Sequence, residues 1–139
     1  MNLYLDTSAL VKLYVEEGAS AEVRQRVADA EVVGTSQVAY PEARDALARR
    51  QREGAFSADD LRRAVADLDR DLEACVVVEL TRSLALMAGE LAERRGLRGL
   101  DAIHLASALE LGDLLGEKPS FLCFDRRLAL AASASGLAT

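Results

Sequence analysis

Short apolar runs alternate with longer segments of helical periodicity, and this alternation constrains the fold more than any other feature. The apolar runs cover residues 2–5, 31–34, 75–80 and 120–124. Helical spacing of apolar side chains covers residues 8–15, 19–29, 36–52, 57–73, 84–96, 100–111 and 126–133. Strands that alternate with helices pair in parallel, because a parallel pair needs a crossover connection. We therefore expect an α/β three-layer sandwich, with a central parallel twisted sheet of four to five strands and helices on both faces.

The length and composition predict a single domain that spans residues 1–139. Half of the 139 residues are apolar and only two are prolines, so the chain can bury a sizeable core. The net charge of −6 argues against a broad, nonspecific attraction to nucleic acid or anionic lipid. Local basic patches remain possible, because most of the 17 basic residues are arginines and several stand in tight groups.

The sequence also leads to an expectation about location. Cys75 and Cys123 lie in apolar runs and are interpreted as reduced, buried residues, neither disulfide-bonded nor metal-binding. The N-terminus lacks the basic stretch and uninterrupted apolar run of a signal peptide. No segment approaches the roughly 18 consecutive apolar residues that a membrane span requires. We expect a cytoplasmic protein.

Four acidic residues are predicted to meet at one edge of the sheet. Two apolar runs end in an aspartate, LYLD at Asp6 and FLCFD at Asp125. Asp101 opens the most apolar helix, and Glu42 lies early in the helix that follows the second strand. Ligands of open α/β sheets bind at the carboxyl ends of the strands, where these acids would converge. Carboxylates so close together need a cation, and hard oxygen ligands suit Mg²⁺ or Mn²⁺.

Each acid also has a simpler interpretation. Asp6, Asp101 and Asp125 stand just before or within the first turn of a helix, where an Asp cap contributes about 1 kcal/mol. Glu42 taken alone could be an ordinary surface residue. Capping accounts for each aspartate singly, but not for two acids that end apolar strands at the same edge, so the combination favours a metal site. His104, the only histidine, is expected to be a hydrogen-bonded core residue and not a ligand or general base.

Four segments of the sequence together resemble a known family. They are LYLDTSALVKLY, SQVAYPEARDALAR, LRGLDAIHLASAL and FLCFDRRLALAA, in the order typical of a PIN-domain ribonuclease. The chain most resembles the VapC toxins of bacterial and archaeal toxin–antitoxin pairs. Each motif is weak alone, but four in order over nearly the whole chain form a specific signal. By their places in these motifs, the acids of the family correspond to Asp6, Glu42, Asp101 and Asp125.

The resemblance implies metal-dependent cleavage of RNA. One or two Mg²⁺ or Mn²⁺ ions would activate water for in-line attack on a phosphodiester and stabilise the leaving oxygen. Asp6 and Asp101 would be direct ligands, Glu42 would act through a bound water, and Asp125 would complete the acidic ring. The resemblance further implies a homodimer, held inactive by an antitoxin whose tail crosses the site. Local arginines would hold the RNA of such an acidic protein, and the candidates are Arg44, Arg49, Arg50, Arg94, Arg95, Arg126 and Arg127.

Two residues depart from the family pattern. Pro41 removes a backbone donor just before Glu42, so it could kink or restart the helix and redirect that carboxylate. Cys123 stands where the family often has a serine or threonine, and it either weakens the metal site or only packs. Two apolar stripes are expected to be core, although the resemblance suggests that part of them receives an antitoxin helix. The stripes are Leu61, Val65 and Leu68, and Leu10, Leu13 and Tyr14.

Three alternative functions are considered. A haloacid-dehalogenase-like phosphatase would need a second aspartate two residues after Asp6, where Ser8 stands instead. A receiver-like signalling module would need an aspartate after the third strand, which ends Val78-Glu79-Leu80. A catalytically inert PIN-fold binding module stays open, since sequence alone does not demonstrate turnover. Stabilisation by Mn²⁺ distinguishes the nuclease from a module whose acids only cap helices.

Overall fold

A computed structural model describes residues 1–139 and contains four strands and seven helices. All strand pairs are parallel, and the sheet order is β3-β2-β1-β4. The predicted parallel sheet is therefore confirmed, with four strands. In chain order the elements are β1 (Asn2–Leu5), α1 (Thr7–Val11), α2 (Ser20–Asp29), β2 (Val32–Ser36), α3 (Ala39–Arg52), α4 (Ala58–Glu73), β3 (Val76–Val78), α5 (Arg82–Arg95), α6 (Gly99–Leu115), β4 (Ser120–Leu122) and α7 (Arg126–Ala134).

Helices cover both faces of the sheet, and each face has its own apolar core. Side chains alternate along a strand, so neighbouring residues of β1 enter different cores. Tyr4 packs into the core that α5, α6 and α7 form, whereas Leu3 and Leu5 pack into the core of α1 to α4. This arrangement confirms the predicted three-layer sandwich. It also places the central strand β1, and the residue that follows it, between two rigid layers.

The boundary between β2 and α3 differs from the prediction. We expected the strand to end at residue 34 and the helix to begin at Ser36, but β2 continues through Ser36 and α3 begins at Ala39. Thr35 and Ser36 are buried, and the Thr35 hydroxyl donates to the Leu5 carbonyl at 2.7 Å. Residues predicted to open the helix therefore belong to the strand. By the register of Tyr4 with Gly34, the extension carries the end of β2 one residue beyond Leu5, level with Asp6.

The other element boundaries differ from the prediction by a few residues, for local reasons. The predicted helix 8–15 ends at Val11, because residues 12–14 bond three residues back and form tight turns. The strand predicted to reach residue 124 ends at Leu122, opposite the last residue of β1. The predicted helix 100–111 continues to Leu115 and ends at Gly116, whose φ of 73° suits a helix C-terminus. No helix is long and apolar enough to span a bilayer.

Candidate active site

Asp6 lies directly beyond the carboxyl end of the central strand. Its backbone N–H donates to the Leu122 carbonyl at 3.2 Å, so pairing between β1 and β4 fixes its position. The side chain caps α1, where Oδ1 accepts hydrogen bonds from Ser8 Oγ at 2.7 Å and from the Ala9 N–H at 3.0 Å. Asp6 is only 6% exposed, and this burial raises the pKa of its carboxyl above the ordinary value. The residue therefore both caps a helix and presents a costly buried charge at the sheet edge.

Asp101 and Asp125 lie at the same edge, on different helices. Asp125 caps α7 through a hydrogen bond that its Oδ1 accepts from the Leu128 N–H at 2.9 Å. Asp101 lies in the first turn of α6. Burial raises the pKa of Asp101, and the negative charges of Asp125 and Glu42 raise it further. The charge of Asp101 in turn helps to raise the pKa of Asp6. All four predicted acids are therefore within electrostatic reach of a common centre.

Glu42 is held by a hydrogen-bond network that reaches into the core. Its Oε1 accepts from Thr7 Oγ1 at 2.6 Å and lies 3.0 Å from His104 Nε2. Thr7 Oγ1 is also 3.0 Å from that nitrogen. Since the Thr7 hydroxyl gives its proton to Glu42, Nε2 must be the donor in both contacts. Burial alone would raise the pKa of Glu42, but the bonds from His104 and Thr7 outweigh it and leave that pKa lowered.

His104 connects Glu42 to the central strand. The ring is buried at 2% exposure, and Nδ1 lies 2.8 Å from the Tyr4 hydroxyl. A ring that carries its single proton at Nε2 accepts at Nδ1 from the Tyr4 hydroxyl. The prediction of a hydrogen-bonded core histidine is confirmed. Sequence reasoning missed the link to Glu42, although His104 stands three residues after Asp101 and so shares its helix face.

Pro41 does not disturb the position of Glu42, contrary to the concern raised by the sequence. The helix begins at Ala39, which places Pro41 in the first turn, where backbone N–H groups have no partner within the helix. A proline is tolerated there without a lost hydrogen bond. The expected interruption therefore does not occur, and Glu42 points toward Thr7 and His104.

An open cavity of about 600 Å³ adjoins Glu42. Its wall includes Lys12 and Arg50, and both form ion pairs with Glu17. The Lys12 ammonium lies 3.3 Å from a Glu17 carboxylate oxygen. Two of the arginines predicted for the rim, Arg49 and Arg50, therefore line the same cavity as Glu42. Arg44 instead lines a different cavity, between α3 and α4. The residues around the cavity at Glu42 are Thr7, Ser8, Val11, Lys12, Glu17, Glu42, Asp45, Ala46, Arg49, Arg50, Glu53 and Leu100.

The chain resembles known proteins in both sequence and structure. Residues 3–132 match the PIN domain family. The chain belongs to that family. It is 39% identical over 140 residues to Ribonuclease VapC45 of Mycobacterium tuberculosis (strain CDC 1551 / Oshkosh), over 96% of this chain and 91% of that protein. The phosphatase and receiver alternatives are set aside, because the family match spans nearly the whole chain.

Solved structures confirm the PIN-like fold. The crystal structure of VapC20 from Mycobacterium tuberculosis, a sarcin–ricin-loop-cleaving toxin, superposes with a TM-score of 0.70 at 22% identity. The match covers 97% of this chain and 95% of that one. A toxin–antitoxin complex from Klebsiella pneumoniae gives a TM-score of 0.68 at 15% identity, over 99% and 96% of the two chains. The predicted resemblance to VapC proteins is confirmed by the sequence relative.

Cys123, the second departure from the family pattern, lies between the core and the acids. Its side chain packs against the core on the α6 face, and Sγ lies 3.5 Å from the Asp125 carbonyl. Burial raises the pKa of the thiol to about 11, so the residue is uncharged at neutral pH. It contributes packing and no negative charge to the acidic edge of this PIN domain.

The acids fit a hard metal ion by their chemistry and their location. As the side chains stand, no group of three or more His, Cys, Asp or Glu residues is arranged to hold a metal ion. Asp6, Glu42 and Asp125 each accept hydrogen bonds from the protein at a single carboxylate oxygen. The second oxygen of each is available to a Mg²⁺-like cation, for which oxygen donors are the preferred ligands. Side-chain rotation would be needed to complete the coordination.

Proposed function

We propose that this PIN domain is a metal-dependent ribonuclease and the toxin of a toxin–antitoxin pair. One observation carries the proposal, the 39% identity to a VapC ribonuclease over 96% of the chain. The four acids at one sheet edge supply a chemical reason for that identity, since carboxylates held together in a partly buried site favour a cation. The inert binding module is less favoured, because helix capping alone does not require four acids within electrostatic reach of one another.

The roles of the acids follow from their surroundings. Asp6 and Asp101 would bind Mg²⁺ or Mn²⁺ directly, because burial and neighbouring charges already disfavour their bare ionised forms. Glu42 would bind through a water, and Asp125 would complete the ring. A bound ion supplies an activated water for attack on the phosphodiester and neutralises charge on the leaving oxygen. The protein would fix the directions of these ligands.

Three neutral side chains would orient the carboxylates. Ser8 donates to the oxygen of Asp6 that caps α1, which leaves the other oxygen aimed elsewhere. Thr7 and His104 bind one oxygen of Glu42 from two sides. Outer hydrogen bonds of this kind typically change metal affinity or activity by about 10- to 100-fold when removed. The buried network of Tyr4 and His104 would give Glu42 a single preferred orientation.

Partners and location complete the proposal. An antitoxin protein would be the partner, as the similar fold from Klebsiella pneumoniae was solved as a toxin–antitoxin complex. Leu61 and Val65, from one predicted apolar stripe, line an open groove of about 800 Å³ between α3 and α4, which would receive an antitoxin helix. Leu68 and Leu10 belong to the buried core instead. A homodimer and a cytoplasmic location stay predictions.

Cleavage of a mixed RNA pool by purified protein tests the proposal. Wild type, Asp6→Asn and Asp60→Asn are compared with Mg²⁺, with Mn²⁺ and with EDTA. Asp60 is the matched control, because it also lies in the first turn of a helix but bonds Ser57 and Arg63 and none of the four acids. Wild type and Asp60→Asn should cut only with metal, and a folded Asp6→Asn should lose cutting. Cleavage by Asp6→Asn at the wild-type rate would show that Asp6 only caps a helix.

A further inference from the structure

Phe124 is the one aromatic residue among the exposed large apolar side chains. It is 43% exposed, whereas Phe121 and Leu122, just before it in the chain, are buried. Leaving an aromatic ring in water forgoes the favourable free energy of burial. The ring immediately precedes Asp125, at the edge where the acids lie. An exposed aromatic in that place suggests a ligand that covers it.

The backbone of Phe124 is tied to the acidic edge. Its N–H donates to Ser8 Oγ at 3.3 Å, and the Ser8 hydroxyl donates to Asp6 Oδ1 at 2.7 Å. Two hydrogen bonds therefore connect the residue that carries the ring to the carboxylate at the end of β1. This connection keeps the ring near the candidate active site.

A lysine lies over the ring and also faces the cavity. Lys12 Nζ is 4.6 Å from the centroid of the Phe124 ring, which is the geometry of a cation–π contact. Lys12 lines the cavity together with Glu42, and its ammonium lies 3.3 Å from Glu17. One ammonium therefore contacts the exposed ring on one side and the cavity beside Glu42 on the other.

An aromatic face next to a fixed cation suits a nucleotide better than a protein. Single-stranded RNA is commonly held by bases that stack on aromatic side chains and by phosphates that meet cations. The centre of a protein interface is instead depleted of charged residues. Around Phe124 the neighbouring groups are charged, with Lys12 over the ring and Asp125 next in the chain.

We propose that Phe124 and Lys12 form a nucleotide subsite for single-stranded RNA. A base stacks on the face of the Phe124 ring that Lys12 leaves free, and the phosphate of that nucleotide or its neighbour contacts Lys12. The subsite accepts any base, because every base has an aromatic face and the ring offers no hydrogen-bonding group. This inference rests on the proposed ribonuclease function and adds to it a place where the substrate is held.

Binding of a fluorescein-labelled hexauridylate tests the subsite, measured by anisotropy in low-salt buffer with EDTA so that no cutting occurs. Phe124→Leu keeps an apolar side chain without the aromatic face and should weaken binding about tenfold. Phe124→Tyr keeps the ring and should bind within about twofold of wild type. Leu86→Ala, at an exposed apolar residue on α5, is the control and should bind as wild type does. Equal binding by Phe124→Leu and wild type would overturn the subsite.

Hexamers that each carry one abasic ribose give a sharper criterion. At one position the missing base should weaken binding to wild type but not to Phe124→Leu, because that variant has already lost the stacking partner. Loss at every position in both proteins alike would contradict the proposal.

If Phe124→Leu changes self-association in sedimentation without changing RNA binding, the ring belongs to a protein interface and the subsite is wrong. If wild type cleaves RNA while Phe124→Leu binds normally, only the subsite fails; if wild type neither binds nor cuts RNA, the ribonuclease function fails with it.

Discussion

Replacement of His104 by leucine should destabilise the protein by about 2 kcal/mol, chiefly through the loss of its hydrogen bonds with Tyr4 and Glu42. The bond from Tyr4 joins neutral groups and contributes about 1 kcal/mol. The bond to Glu42 involves a charge and would contribute about 1.5–3 kcal/mol if fully buried. The side chain of Glu42 is 28% exposed and keeps its bond to Thr7, so water recovers part of that loss. Leucine fills much of the volume of the ring, which limits any cavity cost.

A double-mutant cycle with Tyr4→Phe isolates the network. His104→Leu leaves the buried Tyr4 hydroxyl without its His104 partner, and Tyr4→Phe leaves His104 Nδ1 without its donor. Each single variant therefore bears the cost of an unpaired polar group, which the double variant does not bear. The free energies of unfolding from urea titrations should fall short of additivity by about 1 kcal/mol. Leu86→Ala is the control, since this exposed apolar side chain on α5 takes no part in the network and should cost little. Additive costs, or a His104→Leu variant as stable as wild type, would refute the network.

Three further predictions concern metal, packing and thiol chemistry. Millimolar Mn²⁺ should raise the melting temperature of wild type, because the ion relieves repulsion among the acids, and it should raise that of Asp6→Asn much less. Equal shifts of the two melting temperatures in scanning calorimetry would contradict this. Gly34→Ala places a methyl group 2.5 Å from Leu111 Cδ2 and should cost about 1–3 kcal/mol, whereas Gly89→Ala meets open space in α5 and should stabilise by about 0.5–1 kcal/mol in the same urea assay. Because the pKa of Cys123 is raised to about 11, little thiolate is present at pH 8, and its reaction with iodoacetamide should be at least about tenfold slower in the folded protein than after denaturation. Equal rates would show that the thiol is not buried.

Much of the fold could be predicted from sequence because the local signals agree with the tertiary arrangement. Gly96 adopts φ of 65° at the end of α5, where helical spacing stops. Ser57 caps α4 with Asp60 in a reciprocal pair of bonds, at the residue where the predicted helical spacing begins. The errors arose where tertiary contacts decide a boundary. Thr35 and Ser36 are strand residues because they pair with Val77 and Val78 of β3, and no local pattern carries that information.

The convergence of the acids at one sheet edge was predictable from sequence, but the hydrogen bonds around them were not. The acids Asp6 and Asp125 could be located because strand ends in a parallel sheet share one edge. The link between Thr7, Glu42 and His104 joins three elements that are distant in the chain, and only their packing brings them within 3.0 Å. Whether these acids bind metal and perform the chemistry stays a prediction, as does the single-domain boundary at residues 1–139.

The most direct test of the central claim uses Asp101→Asn. The structure shows no hydrogen bond to the Asp101 side chain, and burial together with the charge of Asp125 raises the pKa of its carboxyl. Because the pKa is higher in the folded protein, ionisation of Asp101 opposes folding, and any stability that the protonated acid contributes is lost as the pH rises through the folded pKa. At neutral pH the uncharged amide of Asp101→Asn should therefore leave the metal-free protein at least as stable as wild type. RNA cleavage by both proteins in Mg²⁺ is the measurement, with urea titrations to confirm folding. The account predicts a well-folded variant that does not cut; a variant that cuts at the wild-type rate would contradict it.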